Sequence, residues 1–109
     1  MRDADLIEAM RAIIDAGGVV TGSVPVAGGY RSAIIEADDA ALFVHDNRTW
    51  VAKAAGVTPE QLFEYERYEG LPRCGAKTLS GGRCLNSVTG QCDPDAFVQL
   101  HGDRCRVHA

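Results

Sequence analysis

Cys74-Gly75-Ala76-Lys77-Thr78-Leu79-Ser80-Gly81-Gly82-Arg83-Cys84, then Cys92, then Cys105-Arg106-Val107-His108: these residues hold every cysteine of the chain within its last 36 positions. Written as spacing, the tail is Cys74-x9-Cys84-x7-Cys92-x12-Cys105-x2-His108. A segment this short cannot bury enough apolar surface to fold unaided, so a cross-link has to replace the missing core. Zinc takes four soft or borderline ligands in a tetrahedron, and thiolates with an imidazole supply them. Cys105 and His108, two residues apart, form a compact ligand pair. The competing cross-link is a disulfide framework, for example Cys74–Cys84 with Cys92–Cys105. Clustered cysteines in a cytoplasmic chain point to metal first.

Cys74-x-Ala76-Lys77-Thr78-x-x-Gly81-x-x-Cys84, closed by Cys105-x-x-His108, resembles a family of small, mostly uncharacterised zinc modules of phage, bacterial and viral proteins. The resemblance covers the last third of the chain and does not extend to residues 1–72. It implies one structural zinc held by Cys74, Cys84, Cys105 and His108, with Thr78-Leu79-Ser80-Gly81-Gly82 as the turn that brings the first two cysteines together. It also implies a phage or prophage origin. The gap between the second and third family ligands is longer here and contains Cys92 and His101, which stand as alternate ligands. A catalytic zinc keeps one position open beside a general base. Asp93, Asp95 and Asp103 are near in sequence, yet none sits in a His-Glu-x-x-His type of arrangement, so the expectation is a non-enzymatic site with no catalytic residues.

Upstream of the tail, Thr49 to Tyr68 reads as two helices meeting at a tight turn. Thr49 is the expected cap of Trp50 to Ala55, Gly56 breaks that helix, and Thr58-Pro59-Glu60 opens the next with proline in its first turn. Val51, Ala52, Ala55, Gly56, Val57, Leu62 and Tyr65 fall at the spacing of a helix-turn-helix unit over 49–68. Its second helix, however, exposes Glu60, Gln61, Glu64 and Glu66 against Arg67 alone, and carboxylates there repel a duplex. Of Trp50, Phe63, Tyr65 and Tyr68, most are expected in the core and one exposed. Gly70-Leu71-Pro72 ends the second helix and divides the chain into 1–70 and 71–109.

Leu6, Ile7, Met10, Ile13 and Ile14 recur at helical spacing, with Asp5 and Glu8 as an expected capping box and Gly17-Gly18 as the stop. Val19–Val24 and Tyr30–Ile35 read as two strands of a hairpin joined through Pro25, Gly28 and Gly29. Asp38-Asp39 starts a short helix over Ala40 to His45. The fold class expected is therefore α+β: a helix, a hairpin and a helical pair, followed by a zinc-stabilised module. His45-Asp46 is no acid-base pair, since adjacent side chains diverge on either element. Gly28-Gly29-Tyr30-Arg31 and Ser80-Gly81-Gly82-Arg83 lack the context of a phosphate loop and read as turns.

The net charge of −4 is uneven: residues 1–72 carry 6 basic and 12 acidic side chains, and 73–109 carry 5 and 3. Three zinc-bound thiolates bring the tail's +2 down to about +1. The partner expected is a protein. The alternative is a DNA-binding regulator that uses the helical pair, with Arg73, Lys77, Arg83, Arg104 and Arg106 on phosphates. The longest apolar run, Ala40 to Val44, is too short to cross a bilayer, and the N-terminus places acids where a signal peptide carries bases, so a cytoplasmic location is expected.

Overall fold

In the computed structural model, which describes residues 2–76, 81, 82, 84, 86–105 and 107, the order of elements follows from local chemistry. Helix α1 runs over Asp3–Asp15, and the Asp5 carboxylate accepts the Arg2 backbone N–H at 3.2 Å. The helix thus starts two residues before the expected Asp5 cap: Asp5 sits inside the first turn, where an acid also complements the helix dipole. Gly17, at φ 95°, takes the left-handed conformation that ends it. Strands β1 (Thr21–Val26) and β2 (Gly29–Ile34) pair antiparallel from Thr21↔Ile34 to Val26↔Gly29. The two-residue connection Ala27-Gly28 needs Gly28 at φ 79°. Pro25 lies within β1, opposite Tyr30, and not in the connection. A strand of a two-stranded ribbon has a free edge, which is where proline is tolerated.

A 3-10 turn over Ala37–Asp39 leads into α2 (Ala40–His45). Helix α3 spans Asn47–Ala55, capped by Asp46, whose carboxylate accepts both the backbone N–H and the hydroxyl of Thr49. Thr49 is thus the third residue of α3 and not its cap, because Asp46 offers the stronger acceptor. Gly56 at φ 78° closes α3, and Thr58 with Gln61 forms a capping box at the head of α4 (Pro59–Arg67). Helix α5, Pro94–Leu100, lies in the tail, where no helix was expected. Five helices and one antiparallel hairpin among the described residues make the chain α+β. None of these helices is long and apolar enough to cross a membrane.

The molecule is drawn out, 60 × 23 × 16 Å with a radius of gyration of 18.2 Å, against about 13 Å for a compact chain of this length. Its interior is divided accordingly. Val24, Ile35 and Trp50 form one buried cluster, edged by Met10, Val20, Leu42 and Phe43. Ala52, Leu62, Tyr65 and Phe97 form a second, and α3 joins the two by burying Trp50 in the first and Ala52 in the second. Gly22 lies flat on the first cluster, where a Cβ would stand 2.8 Å from the Trp50 and Phe43 rings. The second cluster takes Phe97 from α5, so residues beyond 70 share a core with residues before it. Tyr65 donates its hydroxyl to the Cys92 carbonyl at 2.7 Å, and Asp93 accepts the Ala27 N–H from the tip of the hairpin at 2.9 Å. Of the aromatic residues around α3 and α4, Phe63 is the exposed one, at 60%. The third cluster consists of three cysteines and Ala76.

Candidate metal centre

Glu69 at φ 54° and Gly70 at φ 75° reverse the chain after α4. The Gly70 N–H donates to the Tyr65 carbonyl, and the Gly70 carbonyl accepts from the Cys92 N–H. From there residues 72–76 run as the middle strand of an irregular three-part ladder. On one side the Cys74 N–H donates to the Asn86 carbonyl, Cys84 N–H to Ala76, and Val88 N–H to Pro72, around a bridge pairing Arg73 with Ser87. On the other side the Gly75 N–H donates to Asp103 and the Gly102 N–H to Arg73. These bonds fix Cys74 between the segments that carry Cys84 and Cys105. Glycine is required at 75: a Cβ there would lie 2.1 Å from the Gly102 carbonyl oxygen. Gly102 itself takes φ 95°.

The result is a convergence of Cys74, Cys84 and Cys105, whose sulfurs all lie within 4.8 Å of one another. They are 0%, 5% and 2% exposed, with Ala76 buried beside them. Cys84 Sγ and Cys105 Sγ are 3.9 Å apart. On a tetrahedral zinc with bonds of about 2.3 Å, two sulfurs stand about 3.8 Å apart, whereas a disulfide needs about 2.05 Å. All four cysteines are free thiols, so neither disulfide of the competing framework is formed. The donors around the sulfurs fit an anionic, metal-holding state. The Ala76 N–H points at Cys74 Sγ from 3.4 Å, and the Asn86 amide at Cys105 Sγ from 3.7 Å.

Electrostatics separates the three. Burial works against ionisation of Cys74, but the backbone N–H groups of Cys105 and Ala76 prevail and hold its thiol below the ordinary cysteine value. At Cys84 the Asn86 N–H favours the thiolate, but burial and the neighbouring Cys74 and Cys105 sulfurs outweigh it and push the thiol up. Three sulfurs at one buried point cannot all be anionic unless a cation neutralises them. The geometry and the donor set therefore suit a metal ion, and these three residues can hold it.

The other sequence candidates fall elsewhere. Cys92 is half-buried, packs against the second core cluster and directs its thiol to the Gly90 carbonyl at 3.4 Å. His101 is stacked on Phe97, with ring centroids 4.7 Å apart, and its Nδ1 accepts the Arg73 N–H at 3.0 Å. It braces the strand that carries Cys74. Neither joins the three-cysteine group. His108 and residues 78–80 of the expected turn lie outside the described residues, as do Lys77, Arg83 and Arg106. Of the remaining candidate phosphate contacts, Arg104 is exposed, whereas Arg73 is half-buried with its guanidinium 5.7 Å from the Tyr68 ring centre. His45 pairs with Asp3 of α1 at 3.0 Å and not with Asp46.

Sequence reasoning missed Asn86, His101 as an acceptor, and the Gly75–Gly102 contact. The doublet Asp93-Pro94 was a legible signal for α5. No family model matches the chain, and no curated protein or solved structure matches it either.

Proposed function

We propose that the chain is a small, non-enzymatic protein whose tail is closed by one structural zinc on Cys74, Cys84, Cys105 and His108, and which acts through contacts with another protein. The observation that carries this reading is the convergence of three buried sulfurs under backbone N–H donors. When bound, zinc neutralises the thiolates and cross-links the segments around 74, 84 and 105. The chain's own part is to present the sulfurs already spaced for it. Burial on all sides favours a structural role over one that admits a substrate. The resemblance of Cys74-x-Ala76-x-Thr78 and Cys105-x-x-His108 to zinc modules of phage, bacterial and viral proteins supports the same reading.

The protein-contact reading rests on charge. The exposed side of α4 carries Glu60, Glu66 and Phe63, with Glu64 partly covered, and Arg48 is already engaged by Glu66 at 3.0 Å. A surface of this kind repels phosphates. The discriminating experiment is binding to random-sequence duplex DNA across a salt series, using the metal-loaded chain. No binding at physiological salt is expected. Affinity in the micromolar range or tighter that falls steeply with salt would replace this reading with a DNA-binding one.

A further inference from the structure

Glu60, Gln61 and Glu64 of α4, Phe97 and Val98 of α5, and His101 just beyond it line an open groove of about 270 Å³. This is below the roughly 300–1,000 Å³ of a small-molecule pocket, and it suits one or two side chains of a polypeptide. Its floor is apolar: half-buried Val98 supplies the accessible surface, above Phe97, which is 1% exposed, and its α4 rim is acidic. Glu60 and Glu64 are one helical turn apart, so their carboxylates stand on the same side of the helix. Glu60 makes no ion pair among the described residues, and Glu64 is only loosely engaged, 3.7 Å from Arg67 and 3.9 Å from His101 Nε2.

The geometry points to this α4–α5 groove as a docking site for a protein segment that places an apolar anchor side chain against Val98 and a lysine or arginine against Glu60 and Glu64. The charge of the site selects this occupant. Nucleic acid and acidic peptides are repelled by the rim, and a second copy of this chain brings 12 acidic against 6 basic side chains in residues 1–72. The groove is fixed in shape because its α5 wall is braced on both sides. Phe97 meets Tyr65 edge-on at 5.4 Å, and His101 anchors the end of α5 to the Arg73 N–H beside the cysteine cluster. An anchor with a neighbouring cation is a common peptide-recognition mode, in which pockets supply affinity and charges supply selectivity.

This inference rests on the protein-contact reading and deepens it by naming the partner's chemistry. The test uses the metal-loaded full chain and a displayed library of random peptides about 12 residues long as the probe. Enrichment of sequences that join a Leu, Ile or Phe to Lys or Arg is expected. A labelled enriched peptide, followed by fluorescence anisotropy, should lose at least about tenfold in affinity for Glu60→Lys/Glu64→Lys. The charge-matched pair Glu8→Lys/Asp15→Lys on α1 should stay within about twofold, because it leaves the groove untouched. Enrichment of acidic or purely apolar peptides, no enrichment, or equal loss in both pairs overturns the groove. Metal content is measured on the same samples. One metal per chain without peptide selection sinks this site alone, and an absent metal sinks the structural-zinc reading while selection is still scored.

Discussion

The cluster around Trp50 and the cluster around Cys74 solve the same problem with different chemistry. The first buries Val24, Ile35 and Trp50 between a hairpin and three helices, and half-buried Met10, Leu42 and Phe43 complete it. Removal of apolar area from water holds it together, and each side chain contributes a share. The second buries three cysteines and an alanine among segments whose only regular pairing among the described residues is a bridge between Arg73 and Ser87. Little apolar area is available there, so its cohesion depends on a few backbone bonds and on whatever neutralises the sulfurs. An apolar core degrades gradually under substitution. A metal-centred one fails at once.

The largest effect that separates the two regions is expected from Cys84→Ser. Structural zinc sites contribute about 10–16 kcal/mol of apparent binding free energy, and losing one of three sulfurs forfeits most of it. Amide exchange should become fast at 72–76 and 84–88, while β1, β2 and α3 stay protected. Exchange that rises equally in the hairpin would show that the two regions fold as one unit. Next comes Trp50→Ala, expected to cost about 3–5 kcal/mol in denaturant unfolding by leaving a cavity under Gly22. The bound metal should be retained, and its loss would break the division from the other side.

Gly75→Ala tests the ladder with every ligand left in place. The new Cβ meets a backbone oxygen, which has no rotamer by which to move away, so a cost of about 1–3 kcal/mol is expected. Metal affinity in chelator competition should fall by about tenfold or more. The smallest effect is expected from Cys92→Ser, within about 0.5 kcal/mol and with full metal content, because that thiol faces the Gly90 carbonyl and a hydroxyl can replace it.

Local punctuation made much of the fold legible in the sequence. Thr58-Pro59, Gly56 and Gly17 act on their immediate neighbours, and the structure places the ends of α1, α3 and α4 by them. The starts of α1 and α3 were harder. Asp3, Ala4, Asn47 and Arg48 add no apolar periodicity, so the pattern became visible only a turn after each helix had begun. Helix α5 carries the same Asp-Pro opening as its counterpart in α4 carries Thr-Pro, but it is short and was hidden among the cysteines. Within the site, spacing left all four cysteines open as ligands, and the resemblance to small zinc modules implied Cys74, Cys84 and Cys105, the three that the structure brings together. The position of His101 was not legible. A histidine at ligand-like spacing became a hydrogen-bond acceptor because α5 stacks its ring on Phe97, a contact between elements and not a property of the local sequence. The Gly75–Gly102 approach joins residues far apart in the chain and leaves no local trace either.

The most direct test of the metal-closed tail is elemental analysis of the reduced, purified protein, with reactive thiols counted before and after chelation. One zinc per chain, with about three thiols becoming reactive only after chelation, is the predicted result. A metal-free protein whose segments 72–76 and 84–88 remain protected from amide exchange would contradict the account, since the backbone ladder would then hold the cysteines together without any ion.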